Sequence, residues 1–391
     1  MGDVFAAVVG QPEAVAVLRR AASAGRPGGA PASAMTHAWL FTGPPGSGRS
    51  DAARAFAAAL QCDRGGCGEC PSCHTVLAGT HADVRFVVPE GLSIGVEQMR
   101  ALVLRSQGAP SSGRWQVLVI SDADRLTEAA GNALLKAVEE PPARTVFLLC
   151  TPSTHPDDIS VTIRSRCRVV TLRTPSVEAV SAALLAAGGT DEPTARWAAA
   201  AAQGHVGRAR RLATDPEARA TRDAVLAIPR RLTSLSACFD AAGDLVTATE
   251  KESGPELAEL AAKEREELAT ALGAGGTGKG SASASRGSAG QLKDLEKRQK
   301  TRATRAQRDA LDRALTDLAG FYRDVLAARF GAPVPAVHVD AADTVRAAAE
   351  RWTPESTLRR LEAVLDCREA IGANVKPRIA VESMMLTLWH A

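Results

Sequence analysis

Five short apolar runs punctuate the first 175 residues, and segments of helical periodicity fill the spaces between them. Ala38 to Thr42, Val84 to Val88, Gln116 to Ile120, Thr145 to Cys150 and Val169 to Leu172 have the length and the β-branched or aromatic content of buried strands. Between them, Ile94, Val96, Met99, Leu102 and Val103 recur at helical spacing, as do Leu134, Leu135 and Val138 before Pro141-Pro142 stops the segment. Gly10-Gln11-Pro12-Glu13 reads as the turn that starts an earlier helix. Strands alternating with helices predict an α/β domain whose parallel sheet of five strands carries helices on both faces.

From Ser176 the pattern turns alanine-rich and helical over Val177 to Ala187, Thr194 to Ala202 and Gly207 to Ala213. Beyond Asp215-Pro216 every periodic stretch is helical. Leu257, Leu260, Leu268 and Leu272 sit among charges, as on a long solvated helix over 255–272. Leu311 to Ala328 and Thr357 to Ile371 are amphipathic and suit a packed bundle. The expected organisation is an α/β domain over 1–175, a small helical lid over 176–213 and an all-helical domain over 214–391. Gly273 to Gly280 imitates a phosphate loop, but no strand precedes it and Gly280 stands where Ser or Thr would be needed. With the Gly, Ser and Ala that follow, 273–290 is expected to be a flexible linker.

Composition adds little until it is read locally. The 391 residues are 45% hydrophobic, enough for more than one core, and 47 Lys and Arg against 44 Asp and Glu give no global argument for nucleic acid. The one basic segment runs from Arg286 to Arg308, with eight Lys and Arg against Asp294 and Glu296. It reads either as a solvated helix face or as a helix that contacts phosphates or a partner. Met1-Gly2-Asp3-Val4 lacks the start of a signal peptide, and no apolar run reaches the roughly 18 residues that span a bilayer, so a cytoplasmic protein without membrane contact is expected.

The first candidate site follows the first strand. Gly43-Pro44-Pro45-Gly46-Ser47-Gly48-Arg49-Ser50 lies between Ala38–Thr42 and a helical run from Asp51 to Leu60, the context that a phosphate-binding loop requires. Gly43, Gly46, Ser47, Gly48, Arg49 and Ser50 are its candidate nucleotide contacts. The spacing fits G-x-x-x-x-G-K-[ST] except that Arg49 replaces Lys, and a planar guanidinium is bulkier than an ammonium. The third strand ends in Ser121-Asp122, where P-loop proteins keep carboxylates for Mg²⁺ and for the attacking water.

The second candidate is Cys62-x4-Cys67-x2-Cys70-x2-Cys73. Four thiolates at this spacing can close a tetrahedral Zn²⁺ shell with no open position, which is a structural rather than catalytic arrangement. Free thiols, or His74 as an alternate ligand, are the other readings. The remaining cysteines are scattered, and in a reducing compartment the crowding favours metal over disulfides.

Val9-Gly10-Gln11, His37 to Gly43, Asn132 to Lys136 with Glu139-Glu140-Pro141-Pro142, and Arg164-Ser165-Arg166-Cys167 resemble the bacterial clamp-loader ATPases of the AAA+ superfamily, and more narrowly the delta-prime type of DNA polymerase III subunit. The detailed resemblance covers about residues 4–210. It implies a hetero-pentameric ring of clamp-loader subunits, a sliding clamp and primer-template DNA as partners, ATP and Mg²⁺ as ligands, and a C-terminal collar. It also implies that Arg166 is an arginine finger aimed at the neighbour's nucleotide, with Arg164 and Arg168 as surface charge or phosphate contacts. Laid on the family pattern, Ser121 takes the Mg²⁺-binding Asp position, Asp122 the water-activating Glu position, and Gly207 the position of an arginine that touches the γ-phosphate, with Arg208 one residue on. Departures at Arg49, Ser121 and Gly207 predict a subunit that is a weak or inactive ATPase. The alternatives are an ATP-hydrolysing subunit of the same loader or a related branch-migration motor, and, from another class, a P-loop small-molecule kinase.

Overall fold

The computed structural model describes residues 2–24, 26, 29–89, 91–271 and 281–391, in two compact units, Met1–Thr214 and Asp215–Ala391. The first unit carries β1 (Ala38–Thr42), β2 (Val84–Val87), β3 (Gln116–Ile120), β4 (Thr145–Thr151) and β5 (Arg168–Thr171) in one sheet of order β2-β3-β4-β1-β5. All four pairings are parallel. Its helices are α1 (Pro12–Ser23), α2 (Arg49–Gln61), α3 (Pro71–Leu77), α4 (Val96–Ser106), α5 (Glu128–Glu139), α6 (Val161–Arg164), α7 (Val177–Ala187), α8 (Glu192–Ala201) and α9 (Val206–Thr214). This is an α/β architecture in which helices cover both faces of one parallel sheet.

The interior strands β1 and β4 are buried at every residue, which is why their sequences are apolar without alternation. Alternate side chains nevertheless feed two cores. Trp39, Phe41, Val117, Val119, Val146 and Leu148 pack with Leu18 of α1 and Phe56 of α2 on one face. Leu40, Leu118, Ile120, Phe147 and Leu149 pack with Met99 of α4 and Leu134 and Val138 of α5 on the other. Trp39 meets Phe56 edge to face at 5.0 Å. The edge strand β5 buries only Val170.

Two buried polar side chains fix loops around this sheet. The Asp83 carboxylate, 1% exposed, accepts the backbone N–H groups of Ser111, Ser112 and Gly113 at 2.5–2.8 Å and the hydroxyls of both serines. Burial alone would raise its pKa, but these donors outweigh that and hold the carboxyl well below the usual range. Gln61, at the end of α2, accepts from Arg114 N at 2.8 Å and donates to the Trp115 carbonyl at 2.5 Å. The chain between α4 and β3 is therefore pinned from both sides.

The second unit is helical throughout: α10 (Pro216–Arg231), α11 (Leu235–Ala271), α12 (Ser281–Arg329), α13 (Ala342–Arg351), α14 (Pro354–Gly372) and α15 (Pro377–His390). Leu311, Leu315, Leu318, Phe321, Tyr322 and Val325 form the buried stripe of α12, against Val364 of α14 and Val381 and Met385 of α15. A charged cluster lies beside them, with Arg222 and His338 buried and Asp340 exposed at its rim. Arg222 of α10, 2% exposed, forks onto the Asp340 carboxylate and donates to His338 Nδ1 at 2.8 Å, while His338 Nε2 lies 3.0 Å from the Asp317 carbonyl. Because Arg222 can only donate, His338 accepts at Nδ1 and carries its proton on Nε2.

The helix expected over 255–272 starts far earlier, at Leu235; Gly243 and Gly254 lie within it, each at a cost of only about 1 kcal/mol relative to Ala. Of the stretch expected as a linker, 273–280 lies outside the described residues, and so does the imitation phosphate loop. From Ser281 the backbone is helical as the start of α12, alanine and serine being adequate helix formers. Among the described residues no helix is long and apolar enough to cross a membrane.

Candidate nucleotide and metal sites

Parallel strands put the candidate nucleotide residues at one end of the sheet. Gly43 follows β1, Ser121-Asp122 follow β3, and Pro152 follows β4, all beyond the carboxyl ends of the strands, where ligands bind open α/β sheets. Gly43 N donates to the Pro152 carbonyl at 3.1 Å, so the loop is moored to the neighbouring strand. Gly46 and Gly48 have φ of 83° and 87°, in the left-handed region that only glycine enters cheaply, and Gly48 is the N-cap of α2. The loop thus keeps a positive helix terminus behind it. Ser47 Oγ and Arg49 Nη1 are buried without a hydrogen-bond partner, as polar groups set for an anion would be.

Other features of the loop work against a phosphate cradle. Ser47 N donates to the Pro44 carbonyl at 3.1 Å instead of pointing inward. A methyl group on Gly46 would come within 2.6–2.7 Å of His205, so His205 rides directly over the loop. His205 Nδ1 in turn accepts Arg208 N at 3.3 Å and so caps α9. Gln11 ties the same region to the chain after β5: its Nε2 donates to the Arg173 carbonyl at 2.6 Å and to the Ser47 carbonyl at 3.3 Å, and its Oε1 accepts Arg173 N.

The charges are gathered where the spacing places them. Arg49, Asp51, Asp122 and Asp124 all act on the buried Cys150 thiol, whose pKa burial pushes up to about 12. Asp122 adopts φ 52° and its side chain caps nothing in the short helical turn that follows, while Ser121 is 9% exposed. Asp124 is the carboxylate that the strand-end reading passed over. Burial raises its pKa, Asp122 adds to that, and Arg125 and Arg49 oppose it. The groups for holding an anion are present; the ligand set for a hard dication is Ser121 and Asp122, a poor one.

Arg166 lies at the opposite end of the sheet. It precedes β5, whose Arg168 pairs with Trp39 while Thr171 pairs with Thr42 at the P-loop end. Three residues of strand, about 10 Å, separate those levels before either loop begins. Arg166 therefore cannot serve its own chain's loop. Its guanidinium rests on Glu139 at 2.7 Å. Arg164 donates to the Thr154 carbonyl, and Arg168 stacks on Trp39 and donates to the Ala34 carbonyl. Both neighbours are thus occupied with local structure.

The four cysteines converge as their spacing predicts. Their sulfur atoms all lie within 4.8 Å of one another, with Cys62 Sγ 3.6 Å from Cys67 Sγ and 3.7 Å from Cys70 Sγ. The edge of a tetrahedron with Zn–S bonds of ~2.3 Å is about 3.8 Å, so the cluster could hold a zinc-sized ion with little movement. Gly65, Gly66 and Gly68 take positive φ to bring Cys67 round, and Cys70 caps α3 by accepting Cys73 N. Burial works against a Cys62 thiolate, but the N–H groups of Cys67, Gly66 and Arg64 turn toward it and bring the thiol down to about 6. The cluster starts at the negative end of α2, a poor place for thiolates, and Arg26 offsets this by donating to the Ala59 and Cys62 carbonyls at 2.9 and 2.7 Å. His74 is not among the clustered ligands. The helix α3 inside this loop was not expected; seven residues are too few to show a period.

Within the basic segment Arg302 meets an acid of α11, as does Arg313 just beyond it. Arg302 pairs with Glu264 at 2.9 Å, Arg313 with Glu252 at 2.9 Å, and Arg308 donates to Asn374. An acidic stretch of α11 thus faces the basic stretch of α12, and Lys293, Lys297 and Lys300 remain on the exposed side.

Comparison with known proteins finds similarity to several DNA polymerase III subunits, of delta, gamma/tau and delta' type. Residues 10–176 match the family described as "DNA polymerase III, delta subunit". The DNA polymerase III subunit gamma/tau of Mycobacterium bovis is 38% identical over 167 residues, 41% of this chain and 27% of that protein. The delta' subunit of Bacillus subtilis is 37% identical over 139 residues, 35% of this chain and 42% of that one. The chain thus spans well under half the length of these curated relatives. Among solved structures, a gamma-subunit-related protein of Thermotoga maritima has 16% identity and a TM-score of 0.40, covering 90% of this chain and 94% of the other. The match to the DNA polymerase III delta-subunit family thus lies within residues 10–176, less than half of this chain.

Proposed function

We propose that this chain is a clamp-loader subunit of DNA polymerase III, of the delta-prime type, that helps load the sliding clamp onto primed DNA within a hetero-pentameric ring. In this reading it is not the motor. It supplies Arg166 to the ATP site of a neighbouring subunit, and its own ATPase is weak or absent. The observation that carries the reading is the pairing of a delta-type domain with an eroded loop: Arg49, Ser121 and Gly207 stand where a motor needs Lys, Asp and Arg, and His205 rides over Gly46. A lid, a collar and the boundaries 1–175, 176–213 and 214–391 are part of the same proposal. The reading of the chain as a hydrolysing motor makes the opposite prediction, and ATP turnover of the isolated chain with and without primed DNA separates them: no turnover is expected.

Restoring the lysine should not change that. Phosphoryl transfer needs a metal ligand and a water-positioning group as well as a cradle. Arg49→Lys leaves Ser121 and Gly207 as they are, so the purified variant should show no turnover above the wild type. A clear rise would count against the erosion argument.

We further propose one structural Zn²⁺ per chain, held by Cys62, Cys67, Cys70 and Cys73. The bound ion would close the loop between α2 and β2 and would take no part in hydrolysis. Cys70→Ser removes one thiolate while leaving a hydroxyl able to cap α3. It should release the metal and loosen residues 62–83 in hydrogen exchange while the sheet stays folded. Elemental analysis giving well under one zinc per wild-type chain would refute the assignment.

A further inference from the structure

Arg166 is held by its own subunit through three contacts. Its Nη2 meets Glu139 Oε1 at 2.7 Å, and its Nη1 donates to the Thr162 carbonyl at 2.9 Å and to Ser165 Oγ at 3.2 Å. Thr162 and Ser165 belong to the turn that carries the arginine. Glu139 comes from elsewhere: it is the last residue of α5, fixed just ahead of Pro141-Pro142. A carboxylate at a helix C-terminus sits against the negative end of the dipole, where a cation would be favoured. Nothing in the stability of α5 accounts for an acid there. The arginine it meets does.

The pair is also built to open. The two side chains are 37% and 42% exposed, so the contact lies in water and shifts an equilibrium by no more than about fivefold. A phosphate group carries more charge than a carboxylate and accepts a guanidinium bidentately, so it would displace Glu139. Glu139 and the same phosphate would then repel one another.

On the reading that Arg166 acts in trans, we infer that Glu139 is a latch that keeps Arg166 folded back on its own subunit until a neighbour's nucleotide takes it over. Glu139 is a positioning residue in this account, touching neither nucleotide nor metal. The latch holds down turnover when the ring is unengaged and has no part in the engaged state.

The test uses the reconstituted loader at equal assembly, measuring ATP turnover alone and with primed DNA and clamp. Glu139→Gln, which keeps the shape and removes the charge, should raise the unstimulated rate by about two- to fivefold and leave the stimulated rate within about twofold. Glu139→Ala should do the same, and Glu139→Gln combined with Arg166→Ala should match Arg166→Ala alone. A merely structural role for Glu139 would lower both rates together and would overturn the latch. An unstimulated rate unchanged by Glu139→Gln, with Arg166→Ala still strongly impaired, would overturn the latch and leave the trans-acting arginine standing. Arg166→Ala indistinguishable from wild type would overturn both.

Discussion

Arg166→Ala should cripple hydrolysis in a polypeptide other than its own. The side chain is exposed, lies outside both cores of the sheet, and makes only surface contacts, so folding of this chain and its entry into the ring should be almost unchanged. The neighbour's site, in contrast, would lose the guanidinium that offsets charge on the transferring phosphoryl group. Removing such an arginine costs about 10³–10⁵ in rate in nucleotide switches. A ring with several sites should lose less in total turnover, because one site alone is affected. Arg166→Lys should rescue poorly, since a point charge cannot reproduce the planar fork. The measurement is clamp- and DNA-stimulated ATP turnover of loaders that contain wild-type or variant subunit at matched assembly. Equal turnover and equal clamp loading would reduce Arg166 to a surface charge.

The largest loss of stability should come from the second unit, at Arg222. Arg222→Ala leaves the buried His338 Nδ1 without its donor, and a stranded buried acceptor costs about 1–3 kcal/mol, while the Asp340 carboxylate, already exposed, is simply rehydrated. Hydrogen exchange should show the loss in α10, α12 and α14. The pH dependence should change as well. Burial first, and then the Arg222 charge, hold the His338 pKa below its ordinary value, while Asp317 and Asp324 pull the other way. A histidine whose folded pKa is depressed contributes stability above its unfolded pKa of about 6.5 and loses it as pH falls toward the folded value. The wild-type second unit should therefore weaken progressively below about pH 6.5. In Arg222→Ala one cause of the depression is gone, so stability starts lower and falls less steeply over the same range. An equally steep or steeper decline in the variant would show that Arg222 does not govern the titration of His338.

Much of the α/β domain could be read from the chain because parallel interior strands must be apolar on both faces. Ala38–Thr42 and Thr145–Thr151 stand out without any alignment for that reason. The convergence of the four cysteines was equally legible, since metal-ligand chemistry imposes residue types at fixed spacing. What escaped was whatever depends on distant pairing. Gln11 reaches Ser47 and Arg173, His205 covers Gly46, and Glu139 meets Arg166, yet each reads locally as an ordinary polar residue. The arginines after Arg286 looked like a free basic face because the glutamates of α11 that meet them lie far back in the sequence.

The separation of the phosphate loop and Arg166 to opposite ends of one parallel sheet gives the chain a polarity. With Arg166 acting in trans, an arginine leaves from one end and a disabled acceptor waits at the other. Subunits joined head to tail through such ends form a directed series, each receiving an arginine from one side and offering its own on the other. On the proposed reading, this chain would complete a neighbour's site but gain nothing when another completed its own. It would therefore terminate the series rather than extend it, fixing both the number of working sites in a row and the side on which the row stops.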